Sequence, residues 1–165
     1  MSIKFDVKMT EKIMYNFLLH HAYNNASVII GNVVGILVAL LGVNAWTENP
    51  GDGMLNIVLG VVVLVYTPFS LYMSANKQIK TSEVFKQPIT YTVSEQGLTS
   101  AQNDVTTEAK WEAVEKVVST SKSIVVYTGK NKATILPKEA MGNDYETVVQ
   151  IISTHVEPKK VKIRS

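Results

Sequence analysis

The chain has 165 residues, of which 46% are hydrophobic and only 18% charged, below the roughly 25% charged residues typical of soluble domains. The formal net charge of +2 comes without any lysine or arginine stripe, which argues against a nucleic-acid binder. The absence of cysteine excludes disulfides, thiolate metal sites and cysteine nucleophiles.

The opening I-K-F-D-V-K-M alternates, with Ile3, Phe5, Val7 and Met9 on one side and Lys4, Asp6 and Lys8 on the other, and predicts a short strand. Thr10 offers an N-cap, Glu11 suits a first turn, and Ile13, Met14, Phe17, Leu18 and His21 follow helical spacing towards Asn24. Residues 1–25 thus read as a cytosolic strand and helix. From Ala26 to Trp46 runs an uncharged apolar segment, and a second extends from Met54 to Ser74. A helix of about 20 such residues crosses a hydrocarbon core of about 30 Å, so residues 26–46 and 54–74 are expected to be transmembrane. A pair of buried helices in a soluble protein is the alternative, but the remainder of the chain is too small to cover two such rods.

Between them, T-E-N-P-G-D-G carries two acids and no base, and residues 47–53 read as a short external loop. Lys4, Lys8 and Lys12 precede the first segment and Lys77, Lys80 and Lys86 follow the second, which places both ends in the cytoplasm of a multi-pass plasma-membrane protein. Trp46 suits the outer interface. Val43 and Ala45 also satisfy a signal-peptidase pattern, but a 25-residue leader containing Asp6 and Glu11 is long and poorly basic, and an uncleaved hairpin is expected. Ser27, Gly31, Gly35 and Ala39 recur every fourth residue and form a face on which another helix can approach. That helix is either the second segment or the first segment of another copy. Asn44 and Asn56, at equal depth from the loop, are expected to share a hydrogen bond, and Pro68 to kink the second segment. No ionisable residue lies within either segment, which speaks against proton relays and coupled transport.

Residues 75–88 read as a juxtamembrane linker that ends its helical character before Pro88. Residues 89–165 then change to period two. Ile89, Tyr91 and Val93 alternate with Thr90, Thr92 and Ser94, and Glu95, Gln96 and Gly97 turn the chain. Val105, Thr107, Ala109 and Trp111 are expected on one inward face, with further strands over 115–120, 123–128 and 132–136. A closing helix is capped by Asn143, with Glu146 three residues on, and carries Tyr145, Val148, Val149, Ile152 and Val156 on one face. The expected fold is a two-helix transmembrane hairpin plus a small α+β cytosolic domain, an antiparallel β meander with a C-terminal helix that resembles a pleckstrin-homology-like module. The opening strand, on the same side of the membrane, is free to join that sheet. The tail bases Lys159, Lys160, Lys162 and Arg164 are candidates for anionic lipid contact, each gaining about 1 kcal/mol at an anionic leaflet.

W-E-A-V-E-K-V-V-S at Trp111–Ser119, I-V-V-Y-T at Ile124–Thr128 and I-L-P-K-E-A at Ile135–Ala140 follow an order and spacing similar to the YcxB-like family of small bacterial membrane proteins. The resemblance implies a short leading segment and two spans with a C-terminal domain of this pattern; the function it implies is undefined, so it carries no catalytic residues across. The residues themselves agree on chemistry. Adjacent His20 and His21 diverge by about 100° on a helix and cannot share a metal, and His155 suits the last carbonyls of its helix. There is no P-loop, dinucleotide-binding, G-x-S-x-G or H-E-x-x-H motif, so neither enzyme activity nor a cofactor is expected. The expected role is a membrane-anchored binding module whose partners are membrane lipid and a protein. The alternative is a structural or regulatory subunit, or a homo-oligomer, assembled through its helices.

Overall fold

The computed structural model describes residues 2–129 and 132–163. The chain divides into two units, Leu18–Lys77 and the combination of Met1–Phe17 with Gln78–Ser165.

The helical unit is built from the end of α1 (Glu11–Tyr23), from α2 (Ala26–Ala45) and from most of α3 (Pro50–Thr81). Thr10 opens α1 as the spacing predicts, its hydroxyl accepting from Ile13 N–H at 3.3 Å. Asn25 caps α2 by accepting from Ser27 N–H at 2.9 Å. At 1.5 Å per residue the 20 residues of α2 reach about 30 Å and the 32 of α3 about 48 Å. α3 begins at Pro50, inside the segment read from sequence as the external loop. Proline needs no N–H in a first helical turn, and Asn49 holds that turn by donating to the Asp52 carboxylate at 2.7 Å. Burial here is inverted. Among the described residues the buried positions are Gly35 and Gly42 on α2 and Gly53, Gly60 and Ala75 on α3, while Leu41 is 63% and Phe69 61% exposed. These helices do not form the core of a soluble fold.

The second unit contains two sheets. In the first, β1 (Ser2–Val7), β2 (Ile89–Ser94), β3 (Gly97–Gln102) and β4 (Val105–Lys110) lie in sequence order, all antiparallel. β1 does join the sheet, with Ser2 opposite Ser94 and Val7 opposite Ile89. In the second sheet, β5 (Lys116–Ser119), β6 (Ser123–Gly129) and β7 (Lys132–Pro137) form an antiparallel meander, and β8 (Val161–Lys162) adds parallel to β5. A one-turn helix, α4 (Lys138–Met141), leads through Gly142 to α5 (Tyr145–His155). The core consists of Val93, Leu98, Val114, Val117, Ile124, Val125, Val126, Leu136, Val148 and Ile152, each at most 2% exposed. Phe5 and Tyr91, cross-strand partners, place their rings 6.2 Å apart.

Three expectations are corrected. Gly97 opens β3 instead of continuing a turn, and a side chain there would collide with the Ala109 carbonyl across the ladder. Val105 and Thr107 are exposed, Val105 by 68%, because β4 is an edge strand with neither face covered; Trp111, by contrast, is buried. Asn143 does not cap α5, whose N-cap is Asp144 at the end of a 3-10 turn. In the same helix the buried face includes Ile151. The segment after Thr81 forms a 3-10 turn, Glu83–Phe85, pinned to β3 by Gln102, whose amide donates to the carbonyls of Val84 and Gln87 at 2.6 and 2.9 Å.

Candidate functional site

Two surfaces follow from the expectations, the contact line between α2 and α3 and the basic tail. Along the helix line Gly35 faces Gly60 and Gly42 faces Gly53. A Cβ at Gly60 would lie 2.6 Å from Gly35 O and 2.7 Å from Ala39 Cβ, and one at Gly42 would lie 2.7 Å from Gly53 O. One at Gly53 would lie 2.8 Å from the Trp46 Cα. The backbones meet where only hydrogen fits, which maximises van der Waals contact and permits Cα–H to carbonyl contacts. The glycines of each helix are seven residues apart, the repeat of a left-handed helix pair.

The structure brings Gly35 and Ala39 to this line but not the rest of the predicted face. Ser27 is exposed, and a Cβ at Gly31 would meet nothing within 4 Å. The reason is geometric: four residues advance about 40° around a helix, so the stripe from Ser27 to Ala39 winds away, whereas seven residues drift by only about 20°. Seven-residue spacing was the signal that would have found Gly42, Gly53 and Gly60. At the diverging end Ser27, Val28, Gly31, Val62, Val63, Tyr66 and Thr67 line an open groove of about 360 Å³.

Asn44 and Asn56 are not brought together either. Asn44, two residues from Gly42 and so about 200° around α2 from the contact line, is exposed and accepts at its carbonyl from Thr47 Oγ1 at 3.4 Å. No hydrogen bond joins it to Asn56 among the described residues. α3 continues through Pro68 to Thr81.

The basic tail is folded down through Ile163. Lys159 pairs with Glu157 at 2.7 Å, which raises the lysine pKa and lowers that of the carboxyl, both through this hydrogen bond and charge. Lys160 Nζ donates to Val114 O at 3.0 Å, and Lys162 lies in β8 opposite Val118. Two of the candidate lipid-contacting bases are therefore already engaged, and Arg164 lies outside the described residues.

Elsewhere in the β-rich unit the polar groups serve structure. Thr120 Oγ1 accepts from the N–H groups of Lys122 and Ser123 at 3.3 and 2.9 Å and organises the β5–β6 turn. Asn16 Nδ2 donates to Ser121 Oγ at 2.8 Å in that turn. The Trp111 indole donates to Ser94 O at 2.9 Å and stacks with His155, whose Nδ1 lies 2.9 Å from Ile151 O. Burial pushes the Tyr91 phenol up to about 12. Among the described residues no cluster of three or more His, Asp or Glu is placed to hold a metal ion.

Two long apolar helices followed by a β-rich region of two sheets with a C-terminal helix define the class of this protein. Residues 93–152 match the family model described as YcxB-like protein. No curated protein and no solved structure matches the chain. The matched segment runs from the end of β2 into α5, and all three sequence pieces similar to the family lie inside it. Trp111, Val114, Val117, Ile124, Val125, Leu136 and Pro137, drawn from those pieces, are buried.

Proposed function

We propose that this protein is a non-enzymatic integral membrane protein that presents its β-rich unit as a binding module on the cytoplasmic side of the plasma membrane. One observation carries the reading. β1 precedes the two apolar helices, β2 follows them, and the two strands pair residue for residue from Ser2–Ser94 to Val7–Ile89. Strands of one sheet share a compartment, so the helices between them cross a membrane an even number of times. The exposure of large aliphatic side chains along both helices, with glycine at the buried positions, supports two crossings rather than none. Lysines on both flanks and acids in the connection favour cytoplasmic ends. The module, pleckstrin-homology-like in its two sheets and closing helix, engages a protein, a peptide or the anionic leaflet.

Because the chain lacks cysteine, topology is testable with single thiols. Asn49→Cys is expected to react with a membrane-impermeant maleimide in intact cells, and Lys122→Cys only after permeabilisation. Reaction of both, or of neither, in intact cells would refute the topology.

The unfilled groove beside Gly31 supports a second reading, in which the helices join a larger membrane complex or a second copy. Gly31→Leu would then deplete cross-linked assemblies from membranes while leaving the monomer folded; an unchanged cross-linking pattern would exclude it.

A further inference from the structure

β4 ends the first sheet. Among the described residues it is hydrogen-bonded to β3 on one side and to no strand on the other, and five of its six residues are exposed with Ala109 half-buried. Its connection to β3 is the two-residue turn Asn103–Asp104, with Gln102 facing Val105. A hairpin of this length closes on a hydrogen-bonded pair, and alternation along the ladder then turns the backbone groups of Thr107 and Ala109 towards β3. The Ser100 hydroxyl, donating to the Thr107 carbonyl at 3.4 Å, agrees with that orientation. The N–H and C=O groups of Thr106, Glu108 and Lys110 consequently point out of the sheet. The strand has no proline and no bulge against β3, two of the devices by which natural edges repel an incoming strand.

The side chains specify what fits. Only outward-pointing residues can exchange hydrogen bonds with an added antiparallel strand, so a second copy of β4 is limited to a few two-fold registers. A two-fold axis through Glu108 sets two carboxylates opposite each other. One through Thr106 sets Asp104 against Glu108. An axis through Thr107 opposes Lys110 to Asp104 of the other copy, Val105 to Ala109 and Thr106 to Glu108, each twice, and sets Thr107 against Thr107. Opposite charges meet, apolar meets apolar, and no like charges face each other.

We infer that β4 pairs with β4 of a second copy of this chain, antiparallel about a two-fold axis at Thr107, so that the two first sheets join edge to edge. Such a contact is isologous and closes at two copies, which removes the open edge without generating a fibre. It is separate from the contact line between α2 and α3 and does not depend on it.

The test uses the full chain in its membrane, again exploiting the absence of cysteine. Thr107 would occupy a non-hydrogen-bonded pair, with Cα atoms about 4.5 Å apart, within the span a disulfide bridges. Thr107→Cys is therefore expected to give a disulfide-linked dimer under mild oxidation, several-fold faster than Glu108→Cys or Thr99→Cys. Adding Lys110→Glu should slow the cross-link several-fold, and combining it with Asp104→Lys should restore the rate, since the ion pair is then reversed rather than removed. The positions are exposed in β4 and its turn, and retained protease resistance of the β-rich unit would verify that each variant folds. Equal cross-linking at Thr107 and Glu108, indifference to Lys110→Glu, or failure of the exchanged pair to restore the rate would overturn the inference. So would capture of a different protein by Thr107→Cys without homodimer, which would assign the edge to a foreign strand.

Discussion

The contact line between α2 and α3 makes a quantitative prediction because the same substitution can be placed at two glycines with opposite surroundings. In Gly60→Ala the new methyl falls 2.6 Å from Gly35 O and 2.7 Å from Ala39 Cβ, where ordinary contact begins near 3.4 Å, so the helices must separate by about 0.8 Å. Overpacking of this kind costs about 1–3 kcal/mol. In Gly31→Ala the methyl meets nothing within 4 Å. Both variants gain the preference of alanine over glycine in a helix, about 0.8–1 kcal/mol, which cancels in the comparison. The difference between them should therefore be about 1–3 kcal/mol, with Gly60→Ala the less stable. Thermal unfolding in detergent, followed by circular dichroism, should resolve it, since about 1 kcal/mol shifts Tm by roughly 2–4 °C in a chain of this size. Equal melting temperatures for the two variants would refute the close approach.

Three further predictions concern the β-rich unit. The Tyr91 phenol has its pKa raised to about 12 against 10.0 in the unfolded chain, so the folded form keeps its proton longer. Its contribution to stability is complete below pH 10 and is lost as pH rises through 12, and urea titrations should show a shallower alkaline decline in Tyr91→Phe. Half-buried Tyr127, also raised by burial, adds a slope of the same sign that this variant retains. Trp111→Phe removes the indole hydrogen bond to Ser94 O and part of a buried ring, and should cost about 1–3 kcal/mol in urea denaturation. Thr120→Val strips the β5–β6 turn of its acceptor for two N–H groups and should cost about 1–3 kcal/mol; wild-type stability would show that the turn holds without it.

What the residues reveal in advance depends on whether a pattern is local. The two apolar segments announce themselves because neither contains a charge, and β1 and β2 because Phe5, Val7, Tyr91 and Val93 alternate with polar neighbours. β3 gives no such signal: apart from the core residue Leu98, Gly97–Gln102 is made of small and polar residues, and it is a strand because β2 and β4 flank it. β8 is two residues long and owes its existence to β5, so Lys160 and Lys162 read as a free basic arm until the pairing is known. On α2 the stripe at every fourth residue points to Ser27 and Gly31, while the contact follows Gly35 and Gly42. Which face a helix uses depends on its neighbour's backbone, and the glycine spacing of α3 supplies the missing half. Asn44 illustrates the same limit, since equal depth on two helices does not fix equal azimuth.

The pairing of β1 with β2 also sets an order of events. Under the proposed topology the first strand leaves the ribosome long before its partner, and Phe5 and Val7 have no sheet to enter until both apolar helices have been synthesised and the chain has returned past Pro88. A chain inserted with a single crossing would strand those side chains on the wrong side of the bilayer and leave Tyr91 and Val93 without their neighbours. Under that topology the sheet can be completed only by a chain whose two helices have both crossed, so its completion would report correct insertion.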